Sequence, residues 1–154
     1  MSSTSWPSQN LRNLERTGSL KREATSVDEI RRLLELARGS LAGAGLKGNP
    51  LEVRYQVAYA AAHYLALAAL RANDYRTAAR EGHRQLVFQL LTHTAGIDSS
   101  VPLALDRAHR KRNELEYTGT VDVTEAETAS LIAAARALQK SVLDWINSRR
   151  PELI

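Results

Sequence analysis

The sequence predicts an all-α fold, a bundle of four or five helices, and three observations support this. Hydrophobic residues make up 44% of the 154 residues but aromatic residues only 5%. This composition favours helices packed through small aliphatic side chains over a sheet of β-branched and aromatic residues. Apolar residues recur at helical spacing in long segments, and capping sequences or glycines lie at their ends. A chain of this length forms one domain and buries roughly 70% of its unfolded surface.

The N-terminal part of the chain is predicted to differ from the rest. Residues 1–25 are rich in Ser and Thr, and we expect a weakly ordered segment with a short helix around Gln9–Arg16. A helical domain is predicted over residues 26–148. Its first helix begins at Ser26, because the sequence SVDE that starts there is typical of a capping box, whose Glu reaches back to the cap amide. Glycines from Gly43 onward end this helix.

The second helix is predicted over Asn49–Ala72, since an Asn cap followed by proline is typical of a helix start. Between Val57 and Leu70 it is apolar nearly all round, interrupted mainly by His63. A helix without a polar face is buried on most of its sides. We therefore expect it to lie centrally in the domain or also to contact a second subunit.

The remaining elements follow from turn residues and caps. A polar loop is predicted over Asn73–Arg80, and no convincing strand is found anywhere in the chain. Further helices are predicted from about Glu81 to Thr94 and over Ser99–Glu116. The last helix, over Thr124–Ser148, opens with a second capping box, TEAE. Residues 149–154 are predicted to be a C-terminal tail.

Composition also excludes several classes of protein. The chain has no cysteine, so disulfides and thiolate metal sites are excluded and a cytoplasmic location is expected. Neither an apolar run of about 18 residues nor a secretory signal is found, so no membrane association is expected. Phosphate-binding glycine loops, nucleophile elbows and metal-ligand spacings are absent from the sequence, which predicts neither a metal nor a cofactor. A net charge of +4 is compatible with a polyanionic partner.

The most polar stretch of the chain is HRKRNELEY, residues 109–117. On a helical wheel Arg112 falls in the middle of the apolar stripe of its helix, about 20° from Val101. An arginine there is expected to be partly buried and paired, or to face a cleft. Neither Glu114 nor Glu116 is expected to be the partner, because their spacing on the helix is expected to point them elsewhere or to let them only graze Arg112. A carboxylate from another helix or subunit, or a bound anion, is expected instead.

The other face of this helix carries a carboxylate, a guanidinium, an amide and a phenol, from Asp106, Arg110, Asn113 and Tyr117. Arg110, Asn113 and Tyr117 are spaced i, i+3, i+7, so they can converge on one ligand or partner. The same face can equally be an ordinary solvated surface, in which Arg110 forms a weak i, i+4 pair with Glu114.

Three segments of the chain resemble the HEPN domain superfamily, a set of all-α domains. RYQVAYAAAHYLALAALRANDYR is similar to their Tyr- and Ala-rich second helix, and REGHRQLVFQLL to the start of their third helix. RKRNELEY resembles their signature region, in which an Arg, usually followed by Asn, precedes a His by four to six residues. The resemblance covers Ser26 to Ile146 and depends on the order and spacing of the three segments.

The resemblance implies a function and a set of catalytic residues. In HEPN domains the Arg and the His typically meet across a homodimer and form a metal-independent ribonuclease site. Arg112 and Asn113 correspond to the Arg-Asn pair, although Arg110 also lies within the permitted interval. Tyr117 stands where the His is expected, and a phenol, with an ordinary pKa of about 10, is a poor general base at neutral pH. Arg112, Asn113 and Tyr117 are thus the candidate catalytic residues.

Other basic side chains are candidates for binding phosphate or nucleic acid, namely His83, Arg107, His109, Arg110 and Lys111. Of these, His109 and His83 are also candidates to replace the missing base. His63 is expected to be a core residue and His93 a solvated or capping one.

Several functions remain open at this point. The first is a HEPN-like dimeric module that binds nucleic acid, a nucleotide or a protein partner, such as a nucleotidyltransferase from the same operon, in a defence or toxin-antitoxin type system. The alternative is a toxin-like, metal-independent ribonuclease. A helical DNA-binding protein is a third option, supported only by the basic cluster, because no helix-turn-helix is found. The tyrosine at the His position favours the binding module.

Overall fold

A computed structural model describes residues 8–78, 83–119 and 122–154 of the chain. The helices in these ranges are α1 (Gln9–Thr17), α2 (Val27–Ala44), α3 (Leu51–Ala72), α4 (His83–Gln89), α5 (Leu91–Thr94), α6 (Ser100–Thr118) and α7 (Glu125–Arg149). Two short strands are β1 (Leu20–Arg22) and β2 (Tyr75–Thr77), and a 3₁₀ turn covers Pro151–Leu153. The predicted helical fold is confirmed, whereas the prediction that the chain has no strand was wrong.

Some sequence-based predictions reach beyond the described residues. The first seven residues of the predicted N-terminal segment lie outside them, and so does the predicted start of the third helix at Glu81. The described part of that helix is divided at Leu90 into α4 and α5. The last helix ends at Arg149, close to the predicted end, and the tail places Leu153 in the core. Within the described ranges, no helix has the length and apolar character needed to cross a membrane.

Helix α3 lies at the centre of the fold, and thirteen of its side chains are buried. Helices α2 and α7 pack along it, while α4, α5 and α6 cover its remaining sides. Its many alanines let neighbouring helices approach closely. Because neighbours cover most of its sides, the helix has no polar face. The predicted central position is confirmed, and the chain itself buries most of this helix without a second subunit.

The two capping boxes predicted from the sequence differ in the structure. Thr124 and Glu127 form a complete one at the start of α7. At α2, the Ser26 hydroxyl accepts a hydrogen bond from the Glu29 N–H at 3.1 Å. The Glu29 carboxylate, however, accepts hydrogen bonds from Arg71 and not from the cap amide. This half of the prediction was wrong, because a buried guanidinium competes for the carboxylate more strongly than a solvated backbone amide.

The buried Arg71 connects the N-terminal segment to α3. Its side chain is 2% exposed and forms an ion pair with Glu29 at 2.9 Å. Its guanidinium also donates to the backbone carbonyls of Glu23, Ala24 and Tyr75 at 2.8 to 3.0 Å. Burial raises the pKa of Glu29, but hydrogen bonds, first the one from Arg71, outweigh it and lower the pKa to about 2.

Strands β1 and β2 explain how the segment before residue 26 packs onto the helices. They pair antiparallel, with Leu20 opposite Thr77 and Arg22 opposite Tyr75. Leu20, Tyr75 and Leu11 of α1 are all buried. Three-residue strands are too short to show an alternating pattern in the sequence, and for this reason the sequence predicts a weakly ordered segment. Its described part instead joins the core.

Candidate functional site

A cleft of about 500 Å³ lies between α3, α4 and α6. Its wall on α3 includes the apolar side chains of Val53, Val57 and Ala60, and Arg84 of α4 and Arg112 of α6 contribute guanidinium groups. Tyr59 and His63 of α3 also line it, as do Gln56 and Tyr64. The cleft therefore combines apolar, aromatic and cationic groups, as ligand sites in proteins commonly do.

Tyr59 and His63 reach the cleft from the same face of α3, because they are one helical turn apart. Both are largely buried, at 2% and 9% exposure. The ring of Phe88 meets both edge to face, with centroids 5.6 Å from Tyr59 and 6.0 Å from His63. The His83 ring lies 5.4 Å from that of His63. This aromatic cluster forms the floor of the cleft.

Arg112 is held between an aromatic ring and a carboxylate. Its guanidinium carbon lies 5.4 Å from the centre of the Tyr59 ring, which is a cation–π distance. It forms an ion pair with Glu116 at 2.7 Å, and its side chain is 19% exposed. Partial burial and pairing of Arg112 are thus confirmed. The expectation that Glu116 is not its partner was wrong, because long side chains at i and i+4 meet on one face of a helix.

His109 is oriented by two side chains. Its Nδ1 lies 2.7 Å from the Tyr59 hydroxyl oxygen, and its Nε2 lies 3.1 Å from Nδ2 of Asn113. With the amide in this orientation Asn113 donates to Nε2, so Nδ1 carries the proton and donates to Tyr59. Burial lowers the pKa of His109, the charge of Asp106 raises it, and Arg112 lowers it further.

The imidazoles of the cleft are neutral at pH 7. Burial, together with the charges of Arg84, His83, Arg112 and His109, lowers the pKa of His63 to about 3. Burial and the neighbouring Arg84 also lower the pKa of His83. The positive charge of the cleft at neutral pH therefore comes from its two guanidinium groups.

The structure brings only some of the candidate residues together. Arg112 lines the cleft and His109 is bonded to Tyr59. His83 packs against His63, and Asn113 is bonded to His109. Their association could not be deduced from the polar stretch alone, because it requires α3 and α4 as well.

Other candidates occupy the outer face of α6. Arg110 is 68% exposed and forms an ion pair with Asp106 at 2.8 Å, so the pair expected with Glu114 was wrong. Tyr117 is 94% exposed. In one chain, Tyr117 and Arg110 therefore do not line the cleft with Arg112.

Arg107 and Lys111 belong to a third surface. They line a separate groove of about 430 Å³ between α6 and α7. Lys111 is paired there with Glu127 at 2.6 Å. The basic residues that are adjacent in the sequence are thus divided among three sides of α6.

Three residues of the cleft were not recognised as functional in the sequence. Tyr59 lies within the segment that resembles a HEPN helix, the sequence predicts His63 in the core, and it predicts no role for Arg84. The i, i+4 spacing of Tyr59 and His63 in an otherwise apolar helix, and the basic pair His83-Arg84, are the signals that indicate them. No group of three or more side chains that could hold a metal ion is found among the described residues.

The fold and the cleft define a helical protein with a cationic, aromatic-lined cleft. Comparison of the chain with family models, with curated proteins and with solved structures finds no match. The resemblance to HEPN domains stays a prediction from the three sequence segments described above.

Proposed function

We propose that the protein is a HEPN-like binding module and that its cleft binds a phosphate group of RNA or of a nucleotide. The observation that carries this proposal is that Arg84 and Arg112 line the same cleft. Guanidinium groups offer paired donors that match the oxygens of a phosphate. Contact with Tyr59 and Glu116 holds Arg112 in place before a ligand arrives, which reduces the entropy lost on binding.

Binding is favoured over cleavage because of how the histidines are engaged. Both ring nitrogens of His109 have partners, and Tyr117 does not line the cleft. A general base must be within reach of the proton that it removes. These contacts support a binding module in which Arg112 holds the phosphate and neither His109 nor Tyr117 acts as a base beside it.

The alternative of a metal-independent ribonuclease is supported by His83. Burial and the charge of Arg84 lower its pKa, which favours the neutral ring that a general base must present. Its Nδ1 lies 3.3 Å from the Thr77 hydroxyl oxygen, a contact that orients the ring. Cleavage of labelled RNA in the presence of a chelator, lost in His83→Ala, would favour this alternative.

Replacing either cleft arginine with alanine is expected to weaken binding of single-stranded RNA about tenfold or more, since each substitution removes a charge-assisted hydrogen bond. Binding of the wild type is expected to weaken as salt rises, because phosphate contacts release counterions. Arg38→Ala, which removes the same charge from an exposed site on α2, is the matched control. Fluorescence anisotropy at several salt concentrations measures all three variants.

Two results would contradict the assignment to this cleft. One is an equal loss of RNA binding in Arg38→Ala and in the cleft variants. The other is a large loss in Arg107→Ala alone, which would place binding in the groove between α6 and α7. Melting temperatures check that the variants fold, and Arg112→Ala is expected to cost little stability because it leaves a half-exposed Glu116.

We also propose that the protein acts with a partner from a defence or toxin-antitoxin type system, such as a nucleotidyltransferase. A second proposal, which the resemblance to HEPN domains implies, is that the protein forms a homodimer. Leu103 and Tyr117, 61% and 94% exposed, lie on the outer face of α6. They are about 21 Å apart along the helix, and aromatic side chains such as that of Tyr117 are enriched at protein interfaces.

Light scattering at micromolar concentration is expected to give about twice the chain mass of 17.0 kDa. Leu103→Glu is expected to reduce the mass to that of one chain, because it places a charge in an apolar contact. Leu46→Glu, at a site 60% exposed after α2, is the control and is expected to leave the mass unchanged. A wild-type mass of one chain would contradict the dimer.

A further inference from the structure

Resting on the proposed function, we propose that the cleft also contains a subsite for one unpaired nucleobase. In this arrangement the base lies against His63 and the apolar wall of α3, while its phosphate is bound by Arg84 and Arg112. The ligand is thus a nucleoside monophosphate unit, either a free nucleotide or a residue of single-stranded RNA.

The size of the cleft is the first reason. Its volume of about 500 Å³ falls within the range of roughly 300 to 1,000 Å³ that is usual for sites of small organic ligands. A phosphate alone would occupy only the part beside the two guanidinium groups. The rest of the space lies along α3, where no charged side chain lines the cleft.

The character of that remaining wall is the second reason. Val53, Val57, Ala60 and Tyr64 lie along one side of α3. Val53 is 47% exposed and the other three are partly exposed. These side chains contribute nothing to phosphate binding, but a flat base packs well against aromatic and apolar groups. A nucleotide therefore suits both walls of the cleft at once.

His63 supplies the third reason. It lines the cleft, it is 9% exposed, and its Nε2 has no hydrogen-bond partner among the described residues. Buried polar atoms are rarely left without a partner, so this nitrogen calls for an explanation. A neutral imidazole offers one donor and one acceptor, as the edge of a base does. Since the χ2 torsion of histidine is broad, the ring can turn to present this nitrogen to a ligand.

The test compares ligands that share the phosphate and differ in the base. Calorimetric titration with the four nucleoside monophosphates is expected to give at least one affinity about tenfold or more above that for ribose 5-phosphate, through stacking of the base. His63→Phe, which keeps a ring at this position, is expected to reduce this preference while ribose 5-phosphate still binds. Arg112→Ala is expected to weaken the binding of all these ligands.

A second variant, Ala60→Phe, fills the proposed subsite from α3 and leaves the arginines in place. It is expected to remove the preference for the base even if His63→Phe does not fold.

The source of the ligand is tested with short single strands and with an abasic strand of equal length. Tighter binding of the normal strand indicates a residue of RNA, and tight binding of mononucleotides alone indicates a free nucleotide.

Equal affinity for ribose 5-phosphate and all four nucleotides would overturn the base subsite and leave phosphate binding intact. An undiminished preference in both His63→Phe and Ala60→Phe would also overturn it. Failure of RNA, nucleotides and inorganic phosphate alike to bind would contradict the proposed function itself.

Discussion

Replacing Arg71 with alanine is expected to destabilise the fold by about 3 to 5 kcal/mol, as removal of one member of a buried ion pair does. The side chain is 2% exposed and is bonded both to Glu29 and to three backbone carbonyls. Its loss leaves these acceptors without their donor in a region that water reaches poorly. Because the carbonyls belong to β2 and to the segment after β1, separation of the two strands from α3 is expected to accompany the loss.

Urea unfolding followed by circular dichroism measures this effect. The matched control is Arg76→Ala, because Arg76 pairs with the same carboxylates of Glu23 and Glu29 but is 44% exposed. Exposed pairs contribute about 1 kcal/mol or less, so this variant is expected to remain close to the wild type. Similar midpoints for the two variants would show that the burial of Arg71 adds nothing to stability.

Acidification is expected to destabilise the fold between pH 6.5 and about 3, and His63→Phe is expected to remove much of this effect. The pKa of His63 is lowered from 6.5 to about 3 by burial and by the groups that face it. These are His83 and Arg84 of α4 and His109 and Arg112 of α6.

The direction of this effect follows from proton linkage. In that pH range the unfolded chain binds a proton at His63 that the folded chain does not bind. The free energy of unfolding therefore decreases as the pH falls, by about 1.4 kcal/mol per pH unit at most for one proton. Over the whole range the loss is on the order of several kcal/mol. The lowered pKa values of His83 and His109 add to it with the same sign.

Unfolding free energies measured at several pH values between 7 and 4 check this prediction. Stability of His63→Phe is expected to depend less on pH than that of the wild type, by up to one proton. His93→Phe is the control, because His93 is bonded to Asn10, away from the cleft, and its removal is expected to leave the effect of His63 in place. Identical pH dependence in the wild type and His63→Phe would mean that this imidazole is protonated in the folded state.

Some contacts of Arg112 in the polar stretch of α6 could be predicted from the sequence, and others could not. The position of Arg112 within an apolar stripe correctly indicated a side chain that is partly buried and paired. Its nearest partner, Glu116, is visible in the sequence as well, because residues at i and i+4 are about 40° apart on the wheel and meet on one face. The expectation that it points elsewhere was therefore wrong. The contact with Tyr59 could not be predicted from the sequence, since it depends on how α3 and α6 pack.

The sequence by itself determined the helical class, the central helix and most helix ends. These features depend on interactions within about four residues, such as the Ser26 and Thr124 caps and the turn at Gly119, where φ is 67°. Local hydrogen bonding and apolar periodicity are both visible in a short window of sequence. For this reason the ends of α2 and α6 were predicted to within about two residues.

Only the tertiary structure decided the strand pair, the partner of Glu29 and the cleft. Strands β1 and β2 are separated by more than 50 residues, Glu29 meets Arg71 from 42 residues away, and Tyr59 meets His109 from 50 residues away. Each contact joins side chains from different elements, whose relative position depends on how the helices pack around the alanine-rich α3. Periodicity gives the face that a helix buries but not the neighbour that covers it, so the groups that share one cleft emerge only when the chain is folded.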